Sequence, residues 1–299
     1  MIHLARTPRP RSDVSVDEIF AVNGGVATTA QLTAVMTRKV LASLVRSGAI
    51  KRVCRGVYCL HTPGSTERLA ALDLLNTTPI VACMSTAAAL YGFDTENDNR
   101  VHILDPGVRI RSDSDLVVHQ RVGAPLRRVR GRLVTAPAWT AVEIARTLRR
   151  PRALATLDAA LHVGACTVDE LAAAVREQKG RRGIVAVRDL LPHADGRAES
   201  PMESEMRLVF LDRGVPDAEL QYEIVDHTGQ LWRVDFAWPD ALVAAEYDSM
   251  QWHANPKAFT HDRIKVARLQ ECGWTTIAAV ADDIRKHPED LVRHLRRYL

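Results

Sequence analysis

The chain has 299 residues, of which 46% are hydrophobic and 25% are charged, and its formal net charge at pH 7 is +4. This length predicts two or three domains, and the composition is that of a folded globular protein. No apolar run approaches the ~18 residues that span a bilayer, and no apolar stretch follows the basic segment 1–11, so we expect neither a membrane anchor nor a signal peptide.

Charge is distributed unevenly along the chain. Residues 1–60 carry nine Lys and Arg against three Asp and Glu, whereas residues 198–299 carry twelve against eighteen. A basic end favours phosphate and a carboxylate-rich end favours metal ions, although chance variation along a chain also produces such gradients. The five cysteines are odd in number and include no CxxC pair, so we expect a reducing cytoplasm rather than disulfides or a zinc knuckle.

The first 61 residues predict three short helices followed by a β-hairpin. Apolar residues at helical spacing indicate the helices, Thr28 or Thr29 is expected to cap the second, and Thr37 the third. Residues 50–60 read as a short hairpin bent near Gly56. This order predicts a winged helix-turn-helix domain over residues 1–61. The residues expected to contact DNA are Thr28, Thr29, Gln31, Arg38, Lys39, Arg46, Lys51, Arg52 and Arg55.

The cations in that set belong to the third helix and the hairpin, the two elements that would enter the major groove and contact the adjacent backbone. The alternative is a small helical interaction module whose charges form a solvated face. Residues 24–32 and 55–58 resemble the N-terminal domain of AbiEi-type antitoxins. That resemblance implies DNA binding, often autoregulatory.

Residues 62–195 predict a middle mixed α+β domain, with strands over 101–104 and 116–119 and helices before and after them. The arginines between positions 109 and 132 have two interpretations: they extend the surface that contacts nucleic acid, or they form a solvated surface without a ligand. His102 and His119 are interpreted as ordinary strand residues, because no carboxylate or cysteine partner shares their spacing. Segments 85–92 and 134–140 are similar to the region after the winged helix in AbiEi-type proteins, and no chemistry follows from them.

Residues 198–299 predict a helix and then three strands. Ser200 as cap and Pro201 at the first position favour the helix start. Two of these strands are expected over 231–238 and 242–247, and alternation places Asp235 and Glu246 on one side of the sheet if the turn between the strands has two or four residues. A four-residue turn would put them directly opposite each other. Opposed carboxylates repel unless a cation lies between them, and oxygen-only ligands suit Mg²⁺. The alternatives are solvated acids at strand ends and, for Glu203, a partner in a capping box.

The ordered segments 200–203, 234–239, 246–249, 252–253, 262–263 and 273–274 resemble the PD-(D/E)XK nuclease superfamily, in the branch of the very short patch repair endonucleases. The resemblance implies a restriction-endonuclease-like α/β domain in which Glu203 joins Asp235 and Glu246 at Mg²⁺ or Mn²⁺. It implies that Asp248 is a metal ligand or water-orienting group, and that His253 is a general acid/base or phosphate contact.

This sequence departs from the nuclease pattern at two positions. Asp248 stands where the last motif element has lysine, so no cation at that position can orient the attacking water. Ser249 stands where this branch has glycine. Lys257 or Lys265 could supply the missing cation if the fold brings one of them close to this position.

Two functions therefore follow for a multidomain α+β protein of the cytoplasm. The first is a metal-dependent DNA endonuclease that the winged helix directs to double-stranded DNA. The second is a non-enzymatic AbiEi-like antitoxin or repressor with a degenerate nuclease fold, which binds its own promoter and pairs with a cognate toxin protein. A membrane partner is not expected in either case.

Overall fold

The computed structural model describes residues 15–76, 79–93, 96, 98–108, 110–120, 123–249 and 256–299. By contacts, the chain divides into two compact units, Met1–Ala87 with Asp98–Thr135, and Ala88–Asn97 with Ala136–Leu299. The predicted division at 1–61, 62–195 and 198–299 groups the residues differently, because the strands near 101–135 pack within the first unit and the later helices pack within the second. In the described residues, no helix is long and apolar enough to cross a bilayer.

The first unit begins with three helices and a three-stranded sheet. The elements are α1 (Val16–Val22), β1 (Val26–Thr28), α2 (Thr29–Val35), α3 (Arg38–Arg46), β2 (Lys51–Cys54) and β3 (Val57–Cys59). The sheet order is β1-β3-β2, and all pairs are antiparallel. The predicted three helices and hairpin are confirmed, whereas β1 was not predicted. Three residues are too few to show alternation, and β1 exists because it pairs with β3.

A second sheet in this unit forms around the backbone of Ala82. Its strands are β4 (Val101–Leu104), β5 (Leu116–His119), β6 (Leu126–Val129) and β7 (Arg132–Thr135). Two helices precede them in the chain, α4 (Ser65–Leu75) and α5 (Met84–Tyr91), and the boundary between the two units falls within α5, after Ala87. Ala82 bridges Ile103 of β4 and Val134 of β7, so two short pairs of strands are joined through one residue. The β6–β7 hairpin was not predicted, because two adjacent arginines interrupt the alternation of β6.

The second unit contains four helices that match the predicted ones within a few residues. They are α6 (Pro137–Ala145), α7 (Arg150–His162), α8 (Val168–Glu177) and α9 (Ile184–Leu190). Buried Glu205 of the next helix, α10 (Pro201–Asp212), accepts from Arg152 of α7 at 3.3 Å and from Arg285 at 2.7 Å. These ion pairs tie α10 to the helices on either side of it.

The rest of the second unit is a sheet flanked by helices. After α10 come β8 (Glu219–Val225), β9 (Leu231–Trp238), β10 (Val243–Tyr247), α11 (Pro256–Glu271), β11 (Thr275–Ala279), α12 (Ala281–Arg285) and α13 (Pro288–Leu295). The strand order is β11-β10-β9-β8, antiparallel except for the parallel pair β10–β11. The apolar side of α10 packs on this sheet through Met206 and Phe210, whose ring meets Phe236 edge-on. The sheet thereby holds the acidic residues of β9 and β10 beside the start of α10.

Candidate nucleic-acid interface and carboxylate cluster

Helix α3 exposes a cationic face. Leu41 is buried, and Leu44 and Val45 are half-buried against the core of the first unit. Arg38, Ala42 and Arg46 follow one another at i, i+4 and i+8, so they line up on the opposite, exposed side. Lys39 and Ser43 are exposed next to this row. The side chains at the centre of this face are therefore small, and those at its two ends are positively charged.

The hairpin β2–β3 exposes three more cations, Lys51, Arg52 and Arg55. The Arg52 guanidinium lies 5.9 Å from the centre of the Tyr58 ring, and Lys51 donates to the Thr62 hydroxyl at 2.7 Å. Gly56 has φ +80° at the tip, a left-handed conformation that favours glycine. Among the described residues, no carboxylate pairs with any of the six cations of α3 and the hairpin. Within the part of the chain that the structure describes, these positive charges are not neutralised by carboxylates.

The short polar residues at the start of α2 are bonded locally. Thr28 Oγ1 accepts from the Gln31 amide at 3.2 Å while Gln31 Oε1 accepts from the Thr28 amide at 2.8 Å, a reciprocal capping box. The Thr29 hydroxyl donates to the Gly56 carbonyl at 3.2 Å. These contacts fix the start of α2 and attach it to the hairpin tip. Phosphate contacts by Thr28, Thr29 and Gln31 stay a prediction.

Asp235 and Glu246 meet across two adjacent strands. Trp238 pairs with Val243, which leaves a four-residue turn, and Phe236 pairs with Ala245. One step further along this register, Asp235 stands opposite Glu246. The Tyr247 amide donates to Asp235 Oδ2 at 2.9 Å. The turn has four residues, one of the two lengths that the alternation left open, and the two acids share one side of the sheet.

Glu203 joins this pair from α10. Ser200 caps the helix by accepting from the Glu203 amide at 3.2 Å, but the Glu203 carboxylate accepts from the Glu199 amide at 2.9 Å and does not close a capping box. Gln221 of β8 donates to Glu203 Oε2 at 2.9 Å and also bonds Asp235. The start of α10 and the sheet thus bring three acidic side chains close together. We call this group the carboxylate cluster: Glu203, Asp235 and Glu246.

Lys265 supplies a cation to the carboxylate cluster. Its ammonium group forms an ion pair with Glu246, and both side chains are largely buried. Of the two lysines that could replace the cation missing at the Asp248 position, Lys265 is the one that α11 brings to Glu246. Three ionised carboxylates beside one ammonium group carry a net charge of −2, which one divalent cation would neutralise.

Burial raises the pKa of all three cluster acids. For Glu203 the charge of Asp235 raises the pKa further. For Asp235, the Tyr247 amide and then Lys265 oppose the effect of burial without cancelling it. For Glu246, Lys265 opposes burial, and again the pKa remains raised. Carboxylates that are costly to ionise in isolation are those that gain most from a bound cation.

The donor set suits a magnesium ion with few protein ligands. Among the described residues, no group of three or more His, Cys, Asp or Glu side chains is placed to hold a metal ion, so neither Glu203 nor Asp248 completes the metal-binding set with Asp235 and Glu246 that the nuclease resemblance implied. The half-buried Asp248 follows the end of β10, where its amide donates to the Ala279 carbonyl at 2.9 Å. Mg²⁺ commonly uses one or two carboxylates and keeps several waters. Asp235 and Glu246 fit that requirement, whereas the predicted His253 lies outside the described residues.

Gln221 is a cluster residue that the sequence did not indicate. Its φ of +54° is unusual for a side chain larger than glycine, and the β8–β9 pairing passes directly from Leu220–Phe236 to Tyr222–Val234. The register is the same on both sides of Gln221, so Gln221 stands opposite Asp235, and its side-chain amide bonds both Asp235 and Glu203. A glutamine within an alternating strand gives no such indication before the fold is known.

Two family models match the chain. One, described as "Transcriptional regulator, AbiEi antitoxin", matches residues 15–61, and one described as "AbiEi antitoxin C-terminal domain" matches residues 80–193. "Uncharacterized protein Rv2248" of Mycobacterium tuberculosis strain ATCC 25618 / H37Rv is 59% identical over 264 residues, which cover 88% of this chain and 97% of the relative. The chain belongs to the same family as this protein and carries two AbiEi antitoxin domains.

A second relative has the same statistics. It is "Uncharacterized protein MT2308" of Mycobacterium tuberculosis strain CDC 1551 / Oshkosh, which is 59% identical over 264 residues that cover 88% of this chain and 97% of the relative. The crystal structure of RV2827C protein from Mycobacterium tuberculosis aligns with a TM-score of 0.42 and 18% identity, over 64% of this chain and 78% of that chain. The two family models confirm the AbiEi resemblance of the sequence over residues 15–61 and 80–193.

Proposed function

We propose that this AbiEi antitoxin-domain protein is a transcriptional regulator that binds double-stranded DNA at its own promoter. The observation that carries this proposal is the set of six exposed cations, without carboxylate partners in the described residues, on α3 and the β2–β3 hairpin. They lie within the segment matched by the transcriptional-regulator model. Of the two functions that the sequence suggests, the non-enzymatic regulator is better supported than the endonuclease.

In this proposal the first 61 residues act as a winged helix-turn-helix. Helix α3 enters the major groove with Ala42 and Ser43 at its centre, where small side chains let the helix approach the base edges. Arg38 and Arg46 reach bases or phosphates at the two ends of the helix. Arg55 and the other hairpin cations contact the adjacent backbone and set the register of the helix.

A gel-shift titration with the protein's own promoter fragment tests the proposal. The double variant Arg38→Ala/Arg52→Ala removes one cation from each element. The matched control, Arg176→Ala/Arg182→Ala, removes two exposed arginines of the second unit. Loss of the shift in the first variant and retention in the control support the proposal, and equal binding by both would reject it.

The AbiEi antitoxin domains also suggest a partner, which we propose to be a cognate toxin protein in the cytoplasm. The test is co-expression with the protein encoded by the neighbouring reading frame. Growth arrest by that protein alone, relieved by this chain, supports the pairing. Growth arrest that persists equally with this chain would contradict it.

A second candidate function is metal-dependent hydrolysis of DNA by a PD-(D/E)XK-like domain over residues 198–299. What favours it is that Glu203, Asp235 and Glu246 converge from three elements with Lys265 from a fourth. Asp235 and Glu246 would hold Mg²⁺ or Mn²⁺, which supplies an activated water and neutralises charge on the phosphodiester. Lys265 would hold Glu246 in position, and Gln221 would hold Glu203 against Asp235. His253 keeps the role that the resemblance implies, and Asp248 would orient water and would not bind the metal.

Plasmid nicking separates the two functions. Purified protein is incubated with supercoiled plasmid and Mg²⁺ or Mn²⁺, beside Asp235→Ala and the control Asp240→Ala, which removes an exposed acid from the turn after β9. Nicking that only Asp235→Ala abolishes supports the nuclease. Equal nicking by all three proteins discards the assignment. Calorimetric titration with Mn²⁺ gives an independent result, because a degenerate site binds metal poorly.

A further inference from the structure

The Gly56 carbonyl, at the tip of the β2–β3 hairpin, accepts two hydrogen bonds from one residue. The Thr29 amide donates to it at 2.8 Å and the Thr29 hydroxyl donates to it at 3.2 Å. Thr29 is the first residue of α2 and lies 27 positions before Gly56 in the chain. We call this pair of bonds the Thr29–Gly56 contact. It joins the tip of the hairpin directly to the start of α2.

Helix α2 connects the hairpin tip to α3. Only Met36 and Thr37 separate the two helices, and Met36 is buried in one core cluster with Leu32 of α2 and Leu41 of α3. Thr37 caps α3 by accepting from the Val40 amide at 3.3 Å. A carbonyl that is fixed at the start of α2 is therefore also fixed relative to the exposed face of α3.

The tip of the hairpin is weakly held by its own strands. β2 has four residues and β3 has three, their register shifts between Arg52 and Cys54, and two strands of this length are marginally stable by themselves. Val57, which follows the tip, is buried, whereas Arg55 is exposed and Gly56 is half-buried. The Thr29–Gly56 contact therefore determines where Arg55 lies relative to α3.

The same contact occupies the hydrogen that Thr29 would need for a phosphate. A threonine hydroxyl has one hydrogen, and in Thr29 the Gly56 carbonyl accepts it. The oxygens of a phosphodiester only accept hydrogen bonds, so a hydroxyl that contacts them has to donate. The Thr29–Gly56 contact and a phosphate contact by the Thr29 hydroxyl therefore exclude each other.

We propose that Thr29 is a positioning residue, which sets the register of the hairpin cations on DNA relative to α3 and thereby determines sequence specificity. This inference rests on the proposed DNA binding. The hairpin cations keep their charge without the contact, and their attraction to phosphates does not depend on the base sequence. Contacts of α3 with base edges do depend on the register that the phosphate contacts fix. Loss of the contact should therefore weaken binding to the promoter and leave binding to unrelated DNA unchanged.

Fluorescence anisotropy of the full chain with two DNA fragments tests this role. The fragments are the promoter and a scrambled duplex of the same length and base composition. Thr29→Val removes the hydroxyl and keeps the branched shape, whereas Thr29→Ser keeps the hydroxyl. The matched control is Thr33→Val, because Thr33 is also half-buried in α2 but its hydroxyl donates within the helix, to the Thr29 carbonyl at 2.8 Å.

The net contribution of one neutral hydrogen bond corresponds to about a fivefold change in an equilibrium constant. We expect Thr29→Val to lose about fivefold in promoter affinity, by that same conversion, and to bind the scrambled duplex like the wild type. Thr29→Ser and Thr33→Val should keep the wild-type ratio of the two affinities. An equal loss on both fragments would indicate a phosphate contact and overturn the proposal, and so would an unchanged ratio in Thr29→Val.

Hydrogen–deuterium exchange without DNA tests the contact itself. Peptides over residues 51–59 have the same sequence in all four proteins, so their intrinsic exchange rates at one pH are equal. Opening of the hairpin should rise about fivefold in Thr29→Val and stay at the wild-type level in Thr29→Ser and Thr33→Val. Equal exchange in all four proteins overturns the proposal.

The two measurements also separate this proposal from the proposed function. A wild type that binds both fragments equally contradicts promoter binding, and the exchange result then decides by itself whether Thr29 holds the hairpin. Should Thr29→Val fail to fold, Thr29→Ala takes its place in both measurements with the same expected results, because alanine lacks the hydroxyl and favours the helix.

Discussion

Lys265 of α11 pairs with Glu246 of β10, nineteen positions earlier in the chain. The carboxylate cluster therefore contains the cation that its local motif lacks. The pair also has a consequence for stability, because Glu246 without Lys265 would be a half-buried acid beside Asp235 with no compensating charge.

Lys265→Met should destabilise the second unit by about 2 kcal/mol, somewhat below the cost of breaking a fully buried pair. The control is Lys286→Met, whose ion pair with Asp282 is exposed and should be worth less than about 0.5 kcal/mol. Urea unfolding at pH 7.5 measures both. Equal effects of the two variants would show that the cluster is not organised around Lys265.

Glu203→Gln should raise the free energy of unfolding at pH 8. Burial raises the pKa of Glu203, so ionising it costs the folded state more than the unfolded chain. The gain should shrink as pH falls through the folded-state pKa and vanish near the unfolded value of about 4.3. Denaturant midpoints between pH 4 and 8 test this, and a gain independent of pH would contradict it.

Glu205→Gln, on the same helix, should lower the free energy of unfolding, which is the opposite of the effect expected for Glu203→Gln. Burial acts to raise the pKa of Glu205, but the hydrogen bonds and charges of Arg285 and Arg152 outweigh burial and lower it. The ionised Glu205 carboxylate stabilises the folded state at pH values above the pKa that this group has in the unfolded chain. This stabilisation is lost as pH falls through the pKa that Glu205 has in the folded protein. We expect a loss of about 2 kcal/mol at pH 8 that diminishes in acid. A stabilised Glu205→Gln protein would refute the ion-pair assignment.

Thr28→Ala should destabilise the first unit by about 1 kcal/mol, because it removes the N-terminal cap of α2. DNA affinity measured well below the melting temperature should change little if Thr28 acts only through this cap. A loss of affinity without a loss of thermal stability would instead support the phosphate contact predicted from the sequence.

Local structure was predictable where the chain itself contains the pattern. β9 has the predicted bounds 231–238, and the Ser200 cap begins α10 as expected. The alternation left a turn of two or four residues open, and the four-residue turn of the structure is the one that aligns Asp235 with Glu246. Each of these depends on neighbours within a few positions.

What the sequence did not predict depends on residues far apart in the chain. Strand β1 is stabilised only by β3, and the second sheet of the first unit is joined by Ala82 alone. Lys265 was one of two candidate lysines, and only the path of α11 distinguishes it. Gln221 reaches the cluster because β8 pairs with β9 in the register that sets Gln221 opposite Asp235, and this register is not evident from the sequence alone.

The salt dependence of promoter binding tests the central claim most directly. Fluorescence anisotropy gives the dissociation constant at several NaCl concentrations for the wild type, Arg38→Ala/Arg52→Ala and Arg176→Ala/Arg182→Ala. If α3 and the hairpin hold the DNA, the first variant loses at least about tenfold in affinity and its log–log salt slope falls by about 2, while the control keeps both. An unchanged slope in Arg38→Ala/Arg52→Ala, or an equal loss in the control, would contradict DNA binding through these elements.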